Sequence, residues 1–203
     1  MDVALPGFIL GYHGCDAEVA EQVVTGKHKL KASQNNYDWL GEGVYFWEHN
    51  AQRAYDFAKQ MQKRPHPSGQ QINQPAVVGA VIDLGFCLNL LDSSSMGQVK
   101  DAFNELAIHI AALDQTMPVN EGGRDRVDRK LDCAVFNMLH AARKRELQQP
   151  YDTVRGVFIE GKPAYEGAGF DTKSHIQIAV RESARIVGYF RPLDEHRKPR
   201  KFK

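Results

Sequence analysis

The chain has 203 residues, 42% of them hydrophobic and 25% charged, with a formal net charge of +1. That is enough to bury a core without staples, and the near-neutral balance excludes naming a partner from overall charge. The three cysteines, Cys15, Cys87 and Cys133, are odd in number and sit at no metal-ligand spacing, which argues against a disulfide framework or zinc site and for a reducing, cytoplasmic compartment. The opening MDVALPGFILGYHG has no basic flank and so is not a signal peptide, and no apolar run is long enough to span a bilayer.

Phe8 to Tyr12 reads as a short buried strand ending at His13-Gly14. Asp16 can cap a helix that carries Val19, Val23 and Val24 and stops at Gly26. Lys27 to Trp39 is polar and irregular, with Asn35-Asn36 as a turn signal. Gly41 and Gly43 lead into a strand, Val44 to Trp47, and Asn50 caps a helix through about Lys63. A loop over 64–75 precedes a strand from Ala76 to Leu84. A helix from near Ser95 puts Val99, Ala102, Phe103, Leu106, Ala107, Ile110 and Leu113 on one face. After Gly122-Gly123 a second helix does the same with Leu131, Ala134, Val135, Met138, Leu139 and Ala142. Three strands follow, Thr153–Ile159, His175–Arg181 and Arg185–Phe190, and 196–203 reads as a basic, solvated tail. Strands open and close the chain around a helical block at about 92–150. That order predicts one α+β domain over 1–195, with the block inserted, rather than a doubly wound parallel sheet.

Three places carry more than packing. Gly11-Tyr12-His13-Gly14 pairs a glycine, which lets a ligand approach the backbone, with a histidine that can donate or accept. Gly41-Glu42-Gly43-Val44-Tyr45-Phe46-Trp47 brings an aromatic strand up to a helix bearing Arg53-Ala54-Tyr55, and two rings on adjacent elements can sandwich a flat heterocycle. In the strand around Gln177, alternation puts Ile176, Ile178 and Val180 on one face and His175, Gln177 and Ala179 on the other.

Taken in order over 8–15, 37–58 and 153–190, these motifs resemble the ADP-ribosyltransferase superfamily, most closely its diphtheria-toxin and poly-ADP-ribose-polymerase branch, with its His-Tyr-Glu triad. The resemblance implies packed, split β-sheets with flanking helices. It implies that NAD is the substrate, that no metal is needed, and that the activity is mono-ADP-ribosyl transfer to a protein or a single-stranded nucleic acid. A toxin or phage-defence effector fits that activity, and a toxin would bring an antitoxin partner. By the same resemblance His13 would bind adenosine ribose hydroxyls and the Gly14 backbone the nicotinamide carboxamide. Tyr45 would stack on the nicotinamide ring. The second stacking ring falls to Tyr55 or Phe57, with Tyr55 favoured.

The triad's glutamate position holds Gln177, which keeps a hydrogen bond but brings no charge and no base. Glu42, Glu160 and Glu166 are the carboxylates that could replace it. Loss of that glutamate speaks for single transfer over polymer building. It also keeps two other readings open: an NAD glycohydrolase, and an inactive module that binds NAD or ADP-ribose. The loop Gly161–Lys173 would position the acceptor, with Tyr165 and Phe170 as stacking platforms and Lys162 and Lys173 as phosphate contacts.

Overall fold

The computed structural model describes residues 7–63, 71–194, 196 and 198–202. The loop expected over 64–75 lies partly outside the described residues, as does Arg197 of the tail. Among the described residues, nine strands and four α-helices follow one another: β1 (Phe8–Asp16), α1 (Ala17–Val24), β2 (Val44–Glu48), α2 (Ala51–Lys63), β3 (Pro75–Asp83), β4 (Cys87–Asn89), α3 (Ser93–Ala112), β5 (Asn120–Glu121), β6 (Asp128–Arg129), α4 (Lys130–Arg145), β7 (Thr153–Phe158), β8 (His175–Val180) and β9 (Ile186–Phe190). The fold is α+β.

Capping follows the local sequence. Asp16 accepts the Glu18 N–H at 2.9 Å ahead of α1, and Asn50 accepts the Arg53 N–H at 2.9 Å ahead of α2. One expectation needs correcting. β1 does not end at His13-Gly14 but runs to Asp16, because every residue from Phe8 to Asp16 finds a partner on β3. The short β4 carries no local signal. It exists because it pairs in parallel with β7, Cys87 opposite Thr153.

Seven strands form one sheet in the order β4-β7-β8-β2-β1-β3-β9, where two split sheets were expected. Its narrowest joint is between β1 and β2, which share only Gly11↔Glu48 and Tyr12↔Trp47. Over Gly11 the two halves meet: a Cβ there would lie 2.5 Å from Ile82 Cδ1 and 2.8 Å from Phe46 Cβ, so only glycine fits. Phe46, Ile178 and Val180 from one half and Ala80, Ile82 and Leu84 from the other pack there as one cluster.

The helical block is part of the core. Ala102 and Leu106 of α3, and Val135, Phe136 and Leu139 of α4, are buried against Trp39, Leu88, Val154, Phe158 and Ala179. The α3 face is narrower than its periodicity suggests, since Phe103 and Leu113 are exposed. The expected solvated tail is also corrected. Leu193 bridges to Pro199, and Phe202 stacks on Tyr55 with ring centroids 4.9 Å apart. An aromatic ring gains more by covering another ring than by staying in water.

Candidate functional site

The joint between β1 and β2 places the first two motifs. The Leu10 carbonyl accepts the His49 N–H at 2.9 Å, and the Ala17 N–H reaches Gln74 on the β3 side. Strand alternation then turns the peptide groups of Gly14 toward β2, where the β1–β2 pairing has already stopped. Gly14 also lets α2 approach: a Cβ there would sit 2.0 Å from the Ala54 carbonyl oxygen.

His13 crosses the gap. Its Nδ1 lies 2.8 Å from the Tyr45 carbonyl oxygen, which can only accept, so Nδ1 carries the proton. Burial lowers the His13 pKa, against a smaller raising effect of that hydrogen bond. The ring is therefore neutral near pH 7 and presents Nε2 as an acceptor. By register its side chain lies with Phe46, ring centroids 5.9 Å apart, on the face opposite Tyr45 and Gln177.

Tyr45 and Gln177 do share a face. Tyr45 pairs with Ala179 and Trp47 pairs with Gln177. The row Gln177–Trp47–Tyr12 crosses three adjacent strands, which puts Gln177 two strand spacings, about 10 Å, from β1. The Tyr45 hydroxyl is held by the loop before it. It accepts the Leu40 N–H at 2.9 Å and donates to the Gly41 carbonyl at 2.7 Å. Burial first, and the Asp38 charge second, raise its pKa well above the usual phenol value, so it stays protonated.

Gln177 is buried. Trp39, 138 residues earlier, donates its indole N–H to Gln177 Oε1 at 2.6 Å. An indole only donates, so this bond fixes which way the amide points. One lone pair of the amide oxygen is taken, and the NH2 faces away from the indole as a donor for a ligand. Trp39 lies over Gly156, the β7 partner of Gln177: a Cβ on Gly156 would be 2.9 Å from its ring. Trp39 was not legible from the sequence, because nothing local marks an indole aimed at a strand so far along the chain.

Among the three candidate carboxylates, Glu160 is the one that follows β7, the strand paired with the Gln177 strand. It pairs with Arg53 of α2, Nη2 to Oε2 at 2.5 Å, with both side chains about nine-tenths buried. Phe158, two residues before it, is paired with His175, which lies two before Gln177. Glu42 instead meets Gln34, and Glu166 is exposed. Arg53 and Trp47 are the further polar residues the motif reading passed over. The Trp47 indole is buried beside Gln177, against Phe57 at 4.9 Å between centroids.

Tyr55 is not brought to Tyr45. It stacks on Phe202 and lines a separate cleft of about 290 Å³ between α1, β3 and the C-terminal segment. Helix geometry explains this, since Arg53 and Phe57 are four apart on one face of α2 and Tyr55 falls between them. Of the two rings left open by the sequence, Phe57 is the one that packs on Trp47, the cross-strand partner of Gln177. Tyr165 and Phe170 stand exposed on the 161–173 loop, which is tied down by Gly161 N–H to Asp125 at 3.0 Å and Arg124 to Asp171 at 3.0 Å. Cys15 is no nucleophile, for burial pushes its thiol up to about 12.

Among the described residues no group of three or more His, Cys, Asp or Glu could hold a metal ion, and no helix is long and apolar enough to cross a membrane. Compared with protein-family models, curated proteins and solved structures, the chain has no match.

Proposed function

We propose that the chain is an NAD-dependent mono-ADP-ribosyltransferase acting on a macromolecule, with its dinucleotide site at the joint between β1 and β2. The observation that carries this reading is the parting of the two strands after Tyr12 and Trp47. It leaves the peptide groups of Gly14 facing a gap, where a carboxamide can be both donor and acceptor. It also leaves neutral His13 with a free acceptor nitrogen for a ribose hydroxyl. Tyr45 borders that gap from β2, and Gln177 lies one strand farther on the same face.

Breaking the bond between ribose and nicotinamide leaves positive charge on the sugar, which a carboxylate stabilises. Gln177 has no charge, and its oxygen already accepts from Trp39. In this reading Glu160, steadied by Arg53, supplies the carboxylate, and Gln177 orients the ribose through its NH2. Glu160→Gln should then lower turnover at least about a hundredfold, a usual size for loss of one charge-stabilising group. Gln177→Ala should lower it less. Labelled NAD incubated with a cell lysate tests the reading: label moves to protein or nucleic acid if it holds. Release of free ADP-ribose alone makes the chain a glycohydrolase.

One observation favours a second reading, a module that binds NAD or ADP-ribose without turning it over. The buried Trp47 indole lies between Gln177 and β1, on the face where a nicotinamide would rest. Saturable NAD binding with no release of nicotinamide over hours would select this reading.

A further inference from the structure

β3 has an open edge at its start. The Ala17 N–H donates to the Gln74 carbonyl at 2.8 Å. By alternation Gln74, Ala76 and Val78 then turn their peptide groups to β1, and Pro75, Val77 and Gly79 turn theirs the other way, toward β9. Gly79 meets Phe190 there. The next residue in that register, opposite Val77, is Pro192. It has no N–H, and its carbonyl accepts the Arg200 N–H at 2.9 Å instead. The Val77 N–H and the carbonyls of Pro75 and Val77 are left without a hydrogen-bond partner among the described residues. Backbone groups inside a fold are nearly always met by something.

That edge borders the cleft of about 290 Å³ between α1, β3 and the C-terminal segment. Ala20, Val24 and Val77 make its floor apolar. Tyr55 and the stacked Phe202 form one wall. Arg200 extends the stack, its guanidinium 5.1 Å from the Phe202 centroid. Arg191 is bound to Glu21, whereas the exposed Arg200 has no acidic partner among the described residues. The cleft thus combines an apolar slot, a backbone acceptor and donor two residues apart, and one unpaired cation at its rim.

We propose that this cleft binds an adenine mononucleotide, at a site separate from the joint between β1 and β2. The Pro75 carbonyl and the Val77 N–H point the same way from one strand edge. The pairing edge of adenine carries an amino donor beside a ring-nitrogen acceptor, and can answer both at once. Its flat body covers the apolar floor, and Arg200 takes the 5′-phosphate in a charge-assisted contact. Cytosine has the same two groups, but a purine covers more of the floor. The cleft, about 290 Å³, lies at the low end of the roughly 300–1,000 Å³ usual for ligand sites, which suits one nucleotide and not a dinucleotide. An added peptide strand would need a longer edge than two outward-facing residues. The joint is on the far side of β1, two strand spacings or about 10 Å away. The nucleotide site does not depend on the transfer reading above.

The test is calorimetry on the full chain with adenosine 5′-monophosphate (AMP), its inosine and cytidine counterparts, adenosine, and NAD. Saturable AMP binding is expected. The inosine nucleotide sets an oxygen against the Pro75 carbonyl and an N–H against the Val77 N–H, and should bind at least about tenfold more weakly. The cytidine nucleotide should also bind more weakly than AMP. Adenosine lacks the phosphate and should lose about tenfold. Arg200→Ala, a change at an exposed side chain, should bring AMP down to the level of adenosine and leave adenosine itself unchanged. Ala20→Leu fills the floor and should weaken AMP and adenosine alike. Saturating NAD should leave AMP binding as it is. Equal binding of AMP and the inosine nucleotide, tighter binding of the cytidine one, no AMP binding at high millimolar concentration, full AMP binding by Arg200→Ala, or displacement of AMP by NAD overturns the proposal. NAD binding without AMP binding overturns it while sparing the transfer reading, and AMP binding without NAD binding does the reverse.

Discussion

The two flanks of α2 bury their surfaces in opposite ways. On one, Arg53 carries a charge into the core beside Trp47, His175 and Gln177, and several polar atoms there lack partners. On the other, Tyr55 lies under Phe202 and lines the cleft of about 290 Å³, floored by Ala20, Val24 and Val77. Of the charged groups lining that cleft, Arg191 is held by both oxygens of Glu21 at 2.8 Å and Arg200 lies over the Phe202 ring. So the roomier flank has its ion pair made and its open bonds on the β3 backbone, and the crowded flank has side-chain bonds to spare. Unmet polar groups are a guide to chemistry that empty volume is not, because burying them costs free energy that a bound water or ligand returns.

The harshest way to disturb both flanks together is Gly14→Val. A Cβ at that position meets the backbone of α2 at 2.0 Å, and backbone cannot rotate away. The helix must lift from the sheet, at a cost of about 3 kcal/mol or more. Urea unfolding checks this, and a loss under 1 kcal/mol would show that the approach of α2 at Gly14 is not structural.

Acid should separate the flanks. On the helical block that covers the Gln177 face, burial lowers the pKa of His140 to about 3, with the Arg181 and Arg143 charges as lesser causes. His175 is lowered too, by burial first. A folded-state pKa below the unfolded value near 6.5 means that the unfolded chain binds the proton first. Stability is then intact above pH 6.5 and falls as pH drops from 6.5 toward 3, by up to about 1.4 kcal/mol per unit from His140. Denaturation curves across that range should flatten in His140→Leu and keep their slope in Phe202→Ala.

Tyr45→Phe sharpens the comparison more gently. It strips the hydroxyl that takes the Leu40 N–H and gives to the Gly41 carbonyl. The expected loss is about 1–2 kcal/mol in thermal or chemical unfolding, and more if the 40–41 turn opens. The turn carries Trp39 at its start, so the Trp39 to Gln177 bond should loosen with it, visible as a shift in indole fluorescence.

Much of the local structure was readable from the sequence. Asp16 and Asn50 cap where a short acceptor side chain before an apolar helix face should. The alternation that set Gln177 apart from Ile178 and Val180 holds in β8. What failed were readings of exposure. Gln177 looked like a cleft or solvent residue and is buried under Trp39, because the cover comes from another part of the chain. Tyr55 looked like a stacking partner for Tyr45 and turned to Phe202, a residue that looked like solvent tail.

Phe202→Ala is the smallest effect expected. It removes one stacked ring pair and should cost about 0.5–1.5 kcal/mol, with the Gln177 flank unchanged. A larger loss that also shifted the indole fluorescence of the Gln177 flank would mean the two flanks are coupled through α2.

The sequence by itself determined the four helices and the longer strands, the caps at Asp16 and Asn50 and the face each residue of those strands takes, since these follow from spacings of two to four residues. It also supplied the His13, Tyr45 and Gln177 motifs. Only the tertiary structure decided that β1 and β2 part after two residue pairs, that Trp39 claims the Gln177 oxygen, and that Arg53 meets Glu160 across 107 residues. Those contacts depend on which distant segments share the core. Periodicity within one segment holds no information about them.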